Sequence, residues 1–147
     1  MAERARSSHL PSGEHRWLSA WVPVLVLEAL VLFLSSRPHL ALPSTIPNLD
    51  KVAHFAEYAV LGWLLRRALS MTFPGGRGAT AVAIVLVALL GAGDELFQGT
   101  VPGRNSDPRD WLSDLLGGTT GAVVAQFRNR RRAGAAPADG EAERAKG

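Results

Sequence analysis

Hydrophobic and polar positions along the chain fall into long blocks rather than the short alternation of a soluble fold. The first apolar run extends from Trp17 to Leu34, with its one charge at Glu28. Its length of about 18 residues is just enough to cross a bilayer core. The turn-forming stretch Pro43–Ser44–Thr45–Ile46–Pro47–Asn48 precedes a second run, from Asp50 to about Leu69. A third, Ala79 to Phe97, opens with an unbroken segment rich in Val, Leu and Ala that reaches Gly93. The fourth, Trp111 to Phe127, is diluted by Asp114 and several glycines. It is needed nonetheless, because without it the arginine-rich C-terminal segment would fall on the opposite side from the other basic segments. The first run reads as a span rather than a signal peptide: Glu28 interrupts it, and no small-x-small cleavage pattern follows Leu34 in a suitable place. The pattern therefore predicts an all-α bundle of four transmembrane helices over residues 17–127, with no second domain.

Charge supplies the orientation. With the N-terminus inside, the inner segments hold twelve basic residues, in 1–16, at Arg66, Arg67 and Arg77, and from Arg128 onward. The outer loops hold four: Arg37, Lys51, Arg104 and Arg109. This is a positive-inside bias, and it places both ends in the cytoplasm. Residues 1–16 and 128–147 lack a hydrophobic period and are expected to be disordered cytoplasmic tails, with Arg128 to Arg132 at the anionic inner leaflet. The pI near 10.2 raises nucleic acid as a partner, but the basic residues flank apolar segments and form no aromatic-interleaved surface, so nucleic-acid binding is excluded. No cysteine is present. That rules out disulfides and thiolate metal sites and leaves the compartment undecided.

In this topology polar residues from three helices fall at one depth near the outer face. The second helix brings Asp50, Lys51, His54, Glu57 and Tyr58, with Lys51, His54 and Tyr58 along one face. The third leaves with Asp94, Glu95 and Gln98, and the fourth enters with Asp110 and Asp114, one turn apart. A tight loop, Gly99 to Asp107, joins them and puts Arg104 in reach of the carboxylates. Each ionisable group facing lipid would cost about 2.5–3.5 kcal/mol, so these groups are expected to face one another or water. Structural readings stand beside the functional one. Asp107 before Pro108 has the character of a helix N-cap, and Asp110 suits capping or a site equally. Asp50 and Lys51 could be interfacial groups alone, and interhelical hydrogen bonds could retain His54, Glu95, Gln98 and Asp114 for packing. Gly117-x-x-x-Gly121 continues the Asp110–Asp114 face inward and invites close approach by a neighbouring helix. Glu28, deep in the first helix, is not assigned to the cluster.

Taken in order, Asp50–Lys51-x-x-His54–Phe55-x-x-Tyr58-x-x-Leu61–Gly62, Asp94–Glu95-x-x-Gln98, Val101–Pro102–Gly103–Arg104 with Asp110 six residues on, and Gly117-x-x-x-Gly121 resemble the VanZ-like family of small membrane proteins. The resemblance covers about residues 50–121, leaving out the first helix and both tails. The family often has Asn where this chain has Asp114. The resemblance implies a multi-pass protein of the bacterial cytoplasmic membrane. The family takes its name from a member linked to resistance to the glycopeptide teicoplanin, which supplies a setting and no mechanism.

The leading expectation is a non-enzymatic envelope factor partnered by the lipid bilayer. Its outer vestibule (Lys51, His54, Tyr58, Asp94, Glu95, Gln98, Arg104, Asp110, Asp114) would bind an anionic or polar group of a lipid headgroup, cell-wall precursor or glycopeptide. Arg104, Lys51 and His54 would meet the anion, and the carboxylates would orient that arginine. The alternative is a membrane-embedded hydrolase or transferase acting on a lipid-linked substrate. There His54 or Glu95 would be the general base, and Asp94, Glu95, Asp110 and Asp114 would hold a divalent cation. No nucleophile–base spacing or established metal motif singles that reading out, and no metal or cofactor is expected. A proton or ion path would need acidic groups across the whole depth, where only Glu28 lies.

Overall fold

Every helix in this chain buries one narrow stripe and leaves the rest of its apolar surface outside. The computed structural model describes residues 12–37, 47–73 and 78–134. They form four helices, α1 (Ser12–Ser35), α2 (Leu49–Thr72), α3 (Ala79–Gln98) and α4 (Pro108–Gly134), with no strand among the described residues. The chain is all-α, as its blocks of hydrophobicity predict.

The buried stripes follow the helical period. On α1 they are Ala20, Val24, Val31 and Ser35; on α2, Tyr58, Leu61, Leu65, Ala68 and Leu69; on α3, Ala79, Ala83, Val87 and Gly91. Steps of three and four keep each set on one face. The helices run up, down, up and down. Trp21 Nε1 donates to Thr72 Oγ1 at 2.9 Å and Arg67 Nη1 to the Ser19 carbonyl at 3.3 Å, so the start of α1 lies beside the end of α2. Ser35, closing α1, reaches Asp94 near the end of α3. The ends of α1 and α3 and the starts of α2 and α4 therefore share one end of the bundle.

Glycine makes the tightest seam, between the parallel helices α2 and α4. A Cβ on Gly117 would overlap the Phe55 carbonyl, one on Gly121 the Ala59 carbonyl, and one on Gly62 the Gly118 carbonyl. The Gly117-x-x-x-Gly121 pattern thus does what its spacing suggests, with α2 as the neighbour.

Outside, the surface is apolar: Leu96 is 75% exposed, and Leu25, Val85, Leu89, Leu116 and Phe127 also face outward. Two helices, α1 and α3, are long and apolar enough to cross a membrane. Only 22% and 28% of their apolar windows are buried, whereas a soluble core helix would be mostly covered. The expected spans at α2 and α4 do not meet that measure: Asp50, Lys51, Glu57, Arg66 and Arg67 lie on α2, and on α4 Asp110, Asp114 and the glycines, threonines and glutamine among its apolar residues lower the hydropathy.

Two expectations change. α1 begins at Ser12 and α4 runs on to Gly134, so 12–16 and 128–134, expected as disordered tail, are helical. The rest of both tails lies outside the described residues. Arg66, counted among the inner basic flank, does lie at the end of the bundle shared by the ends of α2 and α4, but it is buried there rather than flanking: its Nε donates to Thr80 Oγ1 at 2.7 Å, and Thr80 in turn bonds Gln126.

Candidate polar site

The loop between α3 and α4 is built by local chemistry that fixes both of its ends. Arg104 N–H donates to the Val101 carbonyl at 3.1 Å, closing a turn with Pro102 and then Gly103 at its centre. Gly103 has φ +84°, the left-handed position that a type II turn requires after proline. Asp107 then caps α4: its Oδ1 accepts the Arg109 backbone N–H at 2.9 Å, and Pro108 supplies the first helical residue. That bond first, and the Lys51 ammonium second, hold the Asp107 carboxyl below its ordinary value. The capping reading of Asp107 is therefore the one the structure shows. Glu95 ties the loop to α3, with Oε2 accepting the Asp107 N–H at 2.8 Å and the Ser106 hydroxyl at 3.2 Å.

Around this frame the polar side chains sort into three groups. Lys51 on α2 is surrounded by carboxylates, with Nζ 2.8 Å from Asp110, 3.1 Å from Asp107 and 3.1 Å from Asp50. One turn deeper, His54 Nδ1 and Asp114 Oδ1 lie 2.9 Å apart across the glycine seam. Toward α1, Asp94 Oδ2 accepts from Ser35 Oγ and from Gln98 Nε2, both at 3.1 Å. Tyr58 is fully buried below them, its hydroxyl without a hydrogen-bond partner among the described residues. All nine residues expected at the site lie at this end of the bundle.

Arg104 differs from expectation. It is half-buried, and its Nε donates to the Ser35 carbonyl at the end of α1, 3.2 Å away. Among the described residues it forms no ion pair with a carboxylate. The type II turn aims it across the top of the bundle at α1 rather than down at Glu95, Asp110 or Asp114.

Two residues of the site were not anticipated. Ser35 joins Asp94, Gln98 and Arg104 together. Glu28 stands on the bundle-facing side of α1, with Oε2 buried and unpartnered among the described residues. A signal for both was present: 24, 28, 31 and 35 step by four, three and four, so Glu28 and Ser35 share the face of the buried Val24 and Val31.

The electrostatic result is an excess of acceptors. Asp94 Oδ1, Glu95 Oε1, Asp114 Oδ2 and Glu28 Oε2 are all buried without a donor among the described residues. Asp94, Glu95 and Asp114 are 1%, 5% and 0% exposed. Buried oxygens of this kind cost several times what a paired group does. His54, Glu95 and Asp114 can each direct one ligand atom so that the three lie within 4.8 Å of one another. Gly91 lets Asp114 pack close against α3; a Cβ there would stand 3.1 Å from Asp114 Cβ and 3.2 Å from its Oδ2. Such a constellation can accept hydrogen bonds, hold a cation, or let His54 move a proton under the control of Asp114.

The VanZ/LLP1 family model matches residues 4–129. The chain belongs to the VanZ/LLP1 family. The match takes in α1, which the motif resemblance over 50–121 left out, so Glu28 and Ser35 lie inside the family region as well. No curated protein and no solved structure matches the chain.

Proposed function

We propose that this VanZ/LLP1 protein is a four-span protein of the bacterial cytoplasmic membrane, with both ends inside, that binds a donor-rich polar group of an envelope ligand from the outer face. The observation that carries this reading is the surplus of buried carboxylate oxygens on Asp94, Glu95 and Asp114. In a low-dielectric bundle such groups call for donors. The apolar outward surface and the two long apolar helices support the bilayer as the medium. For α2 and α4, the bundle supplies the cover that their composition lacks, since their charged residues at the site end turn toward partner helices.

This reading shifts the ligand away from an anion in the interior. Lys51 already meets three carboxylates, and His54 is held by Asp114. An anion placed among Glu28, Asp94, Glu95 and Asp114 would meet like charge. Amine- and hydroxyl-bearing groups of a glycopeptide or a lipid-linked cell-wall precursor fit better, with Arg104 at the rim for any anionic portion. A contribution to teicoplanin resistance follows from such binding.

The test uses the full chain in nanodiscs, titrated with teicoplanin and with a lipid-linked disaccharide-peptide precursor, beside Glu95→Gln and Asp114→Asn. Saturable binding of either probe, weakened in both variants, is the expected result. Binding of neither probe, or binding that both variants leave unchanged, removes the reading. In a susceptible host, expression of the parent should raise the teicoplanin concentration needed to stop growth, and Glu95→Gln should not.

The enzymatic alternative, a hydrolase or transferase on a lipid-linked substrate, is favoured by one observation. The His54–Asp114 pair has the geometry of an imidazole base oriented by a carboxylate. A product formed from native lipids by the parent and absent with His54→Ala would establish it.

A further inference from the structure

Among the acceptor-rich side chains, one trio differs from the others in composition. His54, Glu95 and Asp114 bring one imidazole nitrogen and two carboxylates from three different helices to a common point, with ligand atoms within 4.8 Å of one another. We infer that these three residues form a binding site for one divalent transition-metal ion of the zinc or manganese class. The inference deepens the proposed binding site and rests on it, naming the positive partner that the buried carboxylates call for.

Three observations carry it. First, the carboxylate ligand atoms are available. Glu95 spends Oε2 on Ser106 and the Asp107 N–H, and its Oε1 is buried and unpartnered among the described residues. Asp114 spends Oδ1 on His54, and among the described residues its Oδ2 is likewise buried and unpartnered. Both residues are more than nine-tenths buried, so these oxygens face the protein interior rather than solvent.

Second, the trio has the charge and outer support of a metal site. Two carboxylates with a neutral imidazole carry two negative charges, which a divalent cation neutralises where their burial is otherwise costly. Glu95 is oriented through its second oxygen by a backbone N–H and a hydroxyl, the kind of outer bond that fixes a ligand's direction.

Third, the donor set is selective. With one nitrogen and two oxygens, and no cysteine in the chain, it suits zinc, manganese or ferrous iron better than calcium or magnesium, which favour oxygen alone. Bonds of about 2.0–2.2 Å to zinc imply ligand atoms roughly 3.3 Å apart, so the trio has to draw together by about 1.5 Å at most. Three protein ligands leave a fourth coordination position to be filled from outside the trio.

The experiment uses the full chain in detergent micelles, stripped with a chelator and titrated calorimetrically with zinc sulfate and with manganese chloride. One ion per chain is expected to bind saturably. His54→Ala, Glu95→Gln and Asp114→Asn should each weaken it by more than about tenfold, the smallest loss usual for disturbing a metal's surroundings. Thr120→Ala, on an exposed part of α4, should leave it unchanged. Absence of saturable binding, or binding that all three exchanges leave intact, overturns the site.

Should the variants fail to fold, X-ray absorption on the zinc-loaded parent decides. Imidazole scattering with carboxylate oxygens is expected, and an all-oxygen shell overturns the inference. Teicoplanin and precursor titrations on the stripped parent separate this idea from the one it rests on. Probe binding that survives metal removal, with no ion held by the trio, sinks the metal site and leaves the binder standing. An ion held by the trio with no probe bound supports the site and sinks the binder.

Discussion

Lys51 is the residue on which three carboxylates depend at once. Its ammonium contacts Asp50, Asp107 and Asp110, and the Lys51 and Asp110 side chains are only 20% and 11% exposed. Lys51→Met keeps the apolar stem and removes the charge, leaving Asp110 close to the Asp114 carboxylate without its counter-ion. We expect a loss of about 1–3 kcal/mol, the range for hydrogen bonds to charged groups, measured by denaturant unfolding in micelles. If Lys51 were only an interfacial group, the loss would be near zero. Asp107 adds a pH dependence of known sign. Its carboxyl titrates below the ordinary value of 3.8, so the stability it supplies is full above that value and falls away as the pH drops through the lowered one. The gap between the parent and Asp107→Ala should therefore be constant near neutrality and narrow only in strong acid. At this scale the sequence was readable where a residue's partners lie nearby in the chain, as with the Asp107 cap and the turn at Pro102–Gly103. It was less readable for Glu28, whose role depends on which face of α1 meets the bundle.

The elements owe their arrangement to where glycine lets backbones touch. α2 and α4 meet through Gly62, Gly117, Gly118 and Gly121, and this seam sets His54 against Asp114 and Lys51 against Asp110. A side chain at Gly62, Gly117 or Gly121 has to push backbone aside, and one at Gly118 has to displace the Val87 side chain of α3. Gly121→Val should cost at least the 1–3 kcal/mol or so of ordinary overpacking and should also part the His54–Asp114 pair. Gly93→Ala gives the opposite sign. Nothing lies within 4 Å of a Cβ there, so lower chain entropy should stabilise α3 by about 0.5–1 kcal/mol. Unfolding of both variants, side by side, tests whether the seam or helix propensity governs stability. The Gly117-x-x-x-Gly121 spacing announced a close contact, because small residues four apart form a flat face whatever they pack on. The partner could not be read from it, since pairing depends on all four helices. Nor could the spacing show where α4 stops, because the arginines after Phe127 are good helix formers as well as signs of an inner-leaflet tail.

For the whole molecule, the polar site and the inner arginines stand at opposite ends of one bundle, and the proposed topology makes those ends the two faces of a membrane. The site end holds the α3–α4 loop with Asn105; the far end holds exposed Arg128, Arg130 and Arg131. An orientation with N- and C-termini outside would put the arginine cluster in the periplasm or beyond, against the charge bias. The absence of cysteine makes the question directly measurable, since every introduced thiol is the sole one in the chain. In intact cells, a membrane-impermeant maleimide should label Asn105→Cys, which is exposed in the loop beside the site. Arg128→Cys should stay unlabelled until the membrane is permeabilised. Labelling of Arg128→Cys in intact cells, with Asn105→Cys protected, would invert the bundle and put the carboxylates at the cytoplasmic face. The ligand would then have to be an intracellular one, and external teicoplanin could not reach the site. The pattern of labels therefore bears on function as well as topology, because a binder of external envelope ligands requires His54, Glu95 and Asp114 to open outward.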